Sequence, residues 1–85
     1  MNWKLVVTKP AQKQLERLPA RDRQHVEAAL FQMSTDPFTG DIGRIRGIVD
    51  GWRRRVGNYR LLFRLDYERE LAVVTGIVRR TSTTY

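Results

Sequence analysis

The order of periodic segments in this chain predicts an α+β domain: two N-terminal helices packed on one face of a small, mainly antiparallel four-stranded sheet, in the order β-α-α-β-β-β. Three observations predict it. Apolar residues recur at helical spacing only in the first half of the chain. The second half alternates or runs continuously apolar, as strands do. Between two of its strand-like runs stands Gly57-Asn58, a pair suited to a tight hairpin turn.

Trp3 to Val7 is short, apolar and partly β-branched, and reads as the first strand. Thr8 then offers a hydroxyl N-cap, and Pro10 fits a first helical turn because its missing N–H would be unpaired there anyway. Ala11, Leu15 and Leu18 follow at i, i+4, i+7 spacing until Pro19 interrupts. A second helix is predicted from about Ala20 to Met33, with Val26, Ala29, Leu30 and Met33 on one stripe and Arg21, Arg23, Gln24 and Glu27 largely off it. The short break predicts a helical hairpin laid on the sheet. Asp36-Pro37 ends the second helix, since a residue before proline disfavours the α region. Phe38 to Gly43 reads as a loop, and Arg44-Ile45-Arg46-Gly47 leads toward the hairpin.

The hairpin spans Gly51 to Phe63. Strand side chains alternate, so Trp52, Arg54 and Val56 share one face and Arg53 and Arg55 the other. On the partner strand Tyr59, Leu61, Phe63 and Leu65 form an apolar row, with Arg60, Leu62 and Arg64 behind it. Burying that row gathers Arg53, Arg55 and Arg60 on an open face, where like charges repel and stability gains nothing. Between Ile42 and Leu65 stand seven arginines and one acid, Asp50. Planar guanidinium groups grip phosphate oxygens two at a time, which makes this face a candidate phosphate site. Asp66 to Glu70 is a polar turn, and Leu71 to Val78 is so continuously apolar that it predicts a central strand covered on both faces.

At 85 residues the chain, 1–85, is expected to form one domain. It has no cysteine and a single histidine, His25, which rules out disulfides, thiolate sites and multi-histidine metal centres. No run approaches the ~20 apolar residues of a membrane helix and no signal-peptide pattern opens the sequence, so a cytoplasmic protein without membrane partners is expected. The net charge is +7 with a pI near 10.8, and thirteen of sixteen basic residues are arginine. That balance calls for a polyanion, either nucleic acid or an acidic protein segment.

With these residues in place the chain resembles the RelE/ParE superfamily, the toxins of bacterial toxin–antitoxin pairs, over almost its whole length. The resemblance rests on Ala11…Leu15…Leu18-Pro19, Asp36-Pro37, Ile45-Arg46-Gly47, and above all Trp52-Arg53-Arg54-Arg55-Val56-Gly57-Asn58-Tyr59-Arg60-Leu61-Leu62-Phe63. A last strand ending in basic residues, with a tyrosine shortly after, completes it. The resemblance implies a metal-independent, cofactor-free endoribonuclease that cuts mRNA on the ribosome, with the ribose 2′-hydroxyl as nucleophile. It implies that Arg53 and Arg55 are the basic pair of the second sheet strand, Arg60 the phosphate-stabilising arginine, and Arg80 (or Arg79) the basic residue after the last strand. Arg46 joins the phosphate-binding set. Tyr85 matches the late tyrosine, as proton acceptor or as a stacking ring. The implied partners are mRNA, the ribosome and a cognate antitoxin with an acidic segment. The chain departs from many relatives in having arginine where they have lysine at 53 or 55, and Arg79 where they have histidine. ParE-like members share the fold but inhibit DNA gyrase by binding it, which is the alternative. A plain nucleic-acid-binding module is a third.

Overall fold

Turn chemistry sets the centre of the sheet. Gly57 takes a φ of 57°, open to glycine at no steric cost, so that Val56 and Tyr59 pair directly across a two-residue turn. The two strands it joins are the middle of a five-stranded sheet. The computed structural model describes residues 3–80. In chain order the elements are β1 (Lys4–Val7), α1 (Lys9–Glu16), α2 (Ala20–Thr35), β2 (Asp41–Arg44), β3 (Gly51–Val56), β4 (Tyr59–Asp66) and β5 (Leu71–Arg79). The sheet order is β1-β5-β4-β3-β2, with β1 parallel to β5 and every other pair antiparallel.

The helices lie where the apolar spacing puts them. Thr8 caps α1, its Oγ1 accepting from the Ala11 N–H at 3.4 Å, a contact type that contributes about 1 kcal/mol. α2 starts after Pro19 without a side-chain cap and ends at the extended Asp36. Its stripe of Val26, Ala29, Leu30 and Met33 is buried, as are Ala11 and Leu15 of α1. They pack against Tyr59, Leu61, Phe63 and Leu65 of β4 and Ala72, Val74 and Ile77 of β5. Trp52 joins this core half-buried, edge-on to Phe38 with ring centroids 6.0 Å apart.

Two expectations change. The sheet has five strands rather than four, because Asp41–Arg44 pairs with β3 where a loop was expected. Four residues containing a glycine carry no strand pattern of their own, and tertiary pairing supplies it. The second change concerns β5, expected to be covered on both faces. Both helices pack on one face, while Val73 is half-buried and Thr75 and Val78 are exposed on the other. Its apolar run therefore leaves an open apolar strip.

A bulge in β5 decides which side its last residues face. The core-facing residues of β4, Leu65, Phe63, Leu61 and Tyr59, pair in turn with Ala72, Val74, Ile77 and Arg79. The step from 74 to 77 inserts one extra residue, and the alternation inverts beyond it. Gln14 of α1 supports the irregularity by accepting from the Ile77 N–H through Oε1 at 2.7 Å.

Candidate functional site

The face of the sheet away from the helices carries the arginines. Arg55 of β3 stands directly opposite Arg60 of β4, and Arg53 pairs with Leu62 on one side and Gly43 of β2 on the other. The missing side chain at Gly43 is what seats Arg53: a Cβ there would lie 2.9 Å from Nη2 of Arg53, so the guanidinium rests on the Gly43 backbone. Around these residues opens a trough of about 350 Å³ lined by Arg44, Ile45, Arg46, Ile48, Arg53, Arg60 and Leu62. No carboxylate lines it. Arg46, Arg53 and Arg60 are thus brought together as the sequence suggests, with Arg55 exposed beside Arg60.

The end of β5 separates the two remaining arginines. The bulge puts Arg79 opposite Tyr59, on the helix side and away from the trough. Arg80 lies beside the hairpin turn, its N–H donating to Asn58 O at 2.6 Å and its Nη1 to Gly57 O at 3.4 Å. Tyr85 lies outside the described residues. Arg44 also borders the trough, but it pairs with Trp52 and so turns its side chain to the core face of the sheet, its guanidinium carbon 5.3 Å from the Trp52 ring centroid. The only signal for it was its place two residues before Arg46.

Arg54, between two trough-side arginines in sequence, does the opposite job. It is 7% exposed, turned toward the helices. Its Nη1 donates to Ala29 O at 3.3 Å and to Thr39 Oγ1 at 3.0 Å, and its Nη2 to Gln32 Oε1 at 2.6 Å. Burial pushes its pKa below the usual guanidinium value, and no carboxylate hydrogen-bonds it. The charge is instead held by acceptors in the C-terminal half of α2, where the helix dipole is negative. Clamping Arg54 to α2 fixes the face of β3, and with it the outward aim of Arg53 and Arg55.

A second tie holds β4. The Tyr59 hydroxyl donates to Oδ2 of Asp22, in the first turn of α2, at 3.1 Å. Burial first, and then this bond, raise the Tyr59 pKa above its ordinary value. Tyr59 precedes Arg60, so the phenol anchors the strand at the residue next to the trough.

Several convergent guanidinium groups in a trough with no acid in its lining bind phosphate oxygens and stabilise negative charge that grows on them; Asp41, across β2–β3 from Arg55, stands outside that lining. They do not transfer protons, since arginine stays charged at any working pH. Among the described residues no group of three or more His, Cys, Asp or Glu side chains could hold a metal ion. No helix among them is long and apolar enough to cross a membrane.

The same architecture recurs in known toxins. A chain of the toxin–antitoxin complex RelBE2 from Mycobacterium tuberculosis is 27% identical, with a TM-score of 0.81 over 94% of this chain and 100% of that one. The archaeal RelE–RelB complex from Pyrococcus horikoshii superposes with a TM-score of 0.82 at 18% identity, covering 98% of this chain and 100% of that chain. The isolated E. coli RelE toxin gives 0.78 at 18% identity, over 95% and 87%. At those last two identities the likeness is one of fold. No curated protein is significantly similar in sequence. The family model for the ParE toxin of the type II toxin–antitoxin system parDE matches residues 5–82. The chain belongs to that family of toxins.

Proposed function

We propose that this toxin is a metal-independent endoribonuclease acting on mRNA in the ribosome. The observation that supports the reading is the trough in which Arg46, Arg53 and Arg60 converge with no carboxylate in its lining. A ribose 2′-oxygen attacks the adjacent phosphorus, the O2′–P bond forms and the P–O5′ bond breaks. The products are a 2′,3′-cyclic phosphate and a 5′-hydroxyl. Negative charge grows on the non-bridging oxygens during this exchange, and Arg60, with Arg53 and Arg55 beside it, stabilises it more in the transition state than in the ground state. Arg46 and Arg80 hold the flanking backbone. Tyr85 accepts the 2′-proton as phenolate, and the 5′-oxygen takes its proton from water. Arg79, on the far face, is left to the Tyr59–Asp22 contact.

The toxin's partner is an antitoxin, as in the complexes it resembles. An acidic segment of that antitoxin covering the arginines is the complementary arrangement for a chain of net charge +7. Action on ribosomes places the protein in the cytoplasm.

A second reading is binding to DNA gyrase without nuclease chemistry. It is favoured by the family model, which is that of ParE, and by the trough lining, which holds no side chain able to exchange a proton near neutral pH. Inducing the chain in cells and mapping transcript 5′ ends while following plasmid supercoiling separates the two. New 5′-hydroxyl ends within translated codons support the nuclease; loss of supercoiling with intact transcripts overturns it in favour of gyrase.

A further inference from the structure

The segment between β2 and β3 carries more than Arg46. It is folded back on the open face and pinned there: Ile45 N–H donates to Gly51 O at 2.9 Å, Gly51 N–H to Ile48 O at 3.1 Å, and Leu65 N–H to Asp50 O at 3.2 Å. Arg64 Nη2 donates to Val49 O at 3.0 Å. A Cβ on Gly51 would sit 2.6 Å from Cγ2 of Ile48, so Ile48 lies directly on that backbone. The result is a wall over the sheet. Between the wall and β4–β5 runs a groove of about 260 Å³ lined chiefly by Ile45, Ile48, Leu62 and Thr75. It shares Ile45, Ile48 and Leu62 with the arginine trough, so the two adjoin along the sheet, a basic trough beside a mostly apolar groove with Arg64 in its lining.

Three properties choose the occupant. The groove is smaller than the ~300–1,000 Å³ of sites for whole drug-sized ligands, which suits a single ring system. Leu62 follows Arg60 by two residues on the same strand face, about 7 Å away, so a group tethered to a phosphate at Arg60 reaches it. Beyond the groove the next cavity is lined by Asp50, Asp66 and Glu68 together with Arg64. Asp66 is paired with Arg69 at 3.0 Å, whereas Asp50 and Glu68 have no ion-pair partner among the described residues. An acidic peptide laid along this face would run into those carboxylates; a neutral base would not.

We infer that the Ile45–Ile48–Leu62 groove seats one nucleobase of the RNA, next to the phosphate held by Arg53 and Arg60. The inference rests on the endoribonuclease reading and gives that site its base-holding part. The sugar–phosphate chain stays at the arginine end, and the base is sandwiched edgewise between the Ile48 wall and the Leu62 floor.

Binding of two uncleavable probes tests it: a 2′-deoxy hexanucleotide, and an abasic deoxyribose-phosphate hexamer of the same charge. Wild type, Ile48→Ala and Ile48→Phe are compared; Ile48 is 45% exposed, so both variants keep the fold. The base-bearing strand should bind wild type about fivefold more tightly than the abasic one, from the apolar area a base covers. Ile48→Ala should erase most of that difference while abasic affinity holds, and Ile48→Phe should restore it by offering a ring. Equal affinity of both probes, or an Ile48→Ala loss that strikes both alike, overturns the base site and leaves the nuclease reading standing. Binding of neither probe overturns the base site, while mapping of transcript 5′ ends decides the nuclease reading separately. A glutamate-rich peptide whose binding depends on Ile48, with no base effect, assigns the groove to a protein partner and overturns the inference.

Discussion

Arg55 and Arg60 face each other directly across β3 and β4, like charges in register, while Asp41 of β2 stands across Arg55 on its other side. Directly opposed like charges on a sheet cost about 0.2–1 kcal/mol. Arg60→Thr, which keeps a strand-favouring side chain and leaves the Arg55–Asp41 pairing in place, should therefore raise stability by about that amount, read as a higher urea midpoint. The same change should weaken RNA binding. A variant that gains no stability, or that binds RNA as well as wild type, would show that the pair is an incidental basic surface.

Gly43 leaves the space in which the Arg53 guanidinium rests. Its φ is not positive, so alanine fits the backbone there and reduces the freedom of the unfolded chain. Gly43→Ala is expected to keep or add stability, by up to about 1 kcal/mol, while displacing the guanidinium. A shift of about 1 Å in a positioned group can lower turnover about 10²-fold, and single-turnover cleavage should fall toward the level of Arg53→Ala. Full cleavage by Gly43→Ala would mean that Arg53 works from any position or not at all.

The hairpin was legible because its information is local. Gly57-Asn58 sets the turn, the turn sets the register, and alternation then assigns Arg53, Arg55 and Arg60 to one face without reference to the rest of the chain. β2 was not legible, since Asp41–Arg44 becomes a strand only by pairing with β3. Nor was the side on which Arg79 lies, because counting along β5 fails at a bulge supported by Gln14, 63 residues away in sequence. The apolar run of β5 promised two covered faces; the helices supply one cover, and the uncovered strip borders the groove beside the arginines.

Alternation also placed Arg54 on the core side, but its partners come from α2 and the following loop, which no local pattern reveals. Arg54→Ala should cost about 3–5 kcal/mol, combining a cavity with acceptors left bare at Ala29 O and Gln32 Oε1. Arg54→Met keeps much of the stem packing and should cost only the bare acceptors, about 1–3 kcal/mol. Denaturant melts of the two variants measure this. Equal losses would assign the role of Arg54 to its charge rather than to its packing.

Tyr59 predicts a pH dependence. Its folded-state pKa is raised, first by burial and then by Asp22, so the folded chain keeps a proton that the unfolded chain releases near pH ~10. Its contribution is thus complete below that pH and is lost as pH rises through the folded value. Tyr59→Phe cannot ionise and should flatten this alkaline loss. Unfolding midpoints of both proteins between about pH 9 and about pH 11 check it, and parallel curves would refute the assignment.

Tyr85 decides between the enzyme and the binding readings. If its phenolate takes the 2′-proton, Tyr85→Phe should lower single-turnover cleavage of ribosome-bound mRNA by about 10²–10⁴-fold, the usual worth of a general base. RNA affinity should hardly change, because the phenylalanine ring still stacks. If the ring only stacks, Tyr85→Phe is silent and Tyr85→Ala weakens binding by about 1–3 kcal/mol. The arginines of the trough cannot act as the base in its place, since a guanidinium stays charged at any working pH. Wild-type cleavage by both variants would therefore overturn Tyr85 as the proton acceptor and assign that step to a base outside this chain, with Arg53, Arg55 and Arg60 still stabilising the phosphate; absence of cleavage by the wild type would instead leave recognition of a polyanionic or protein partner as the work of those arginines.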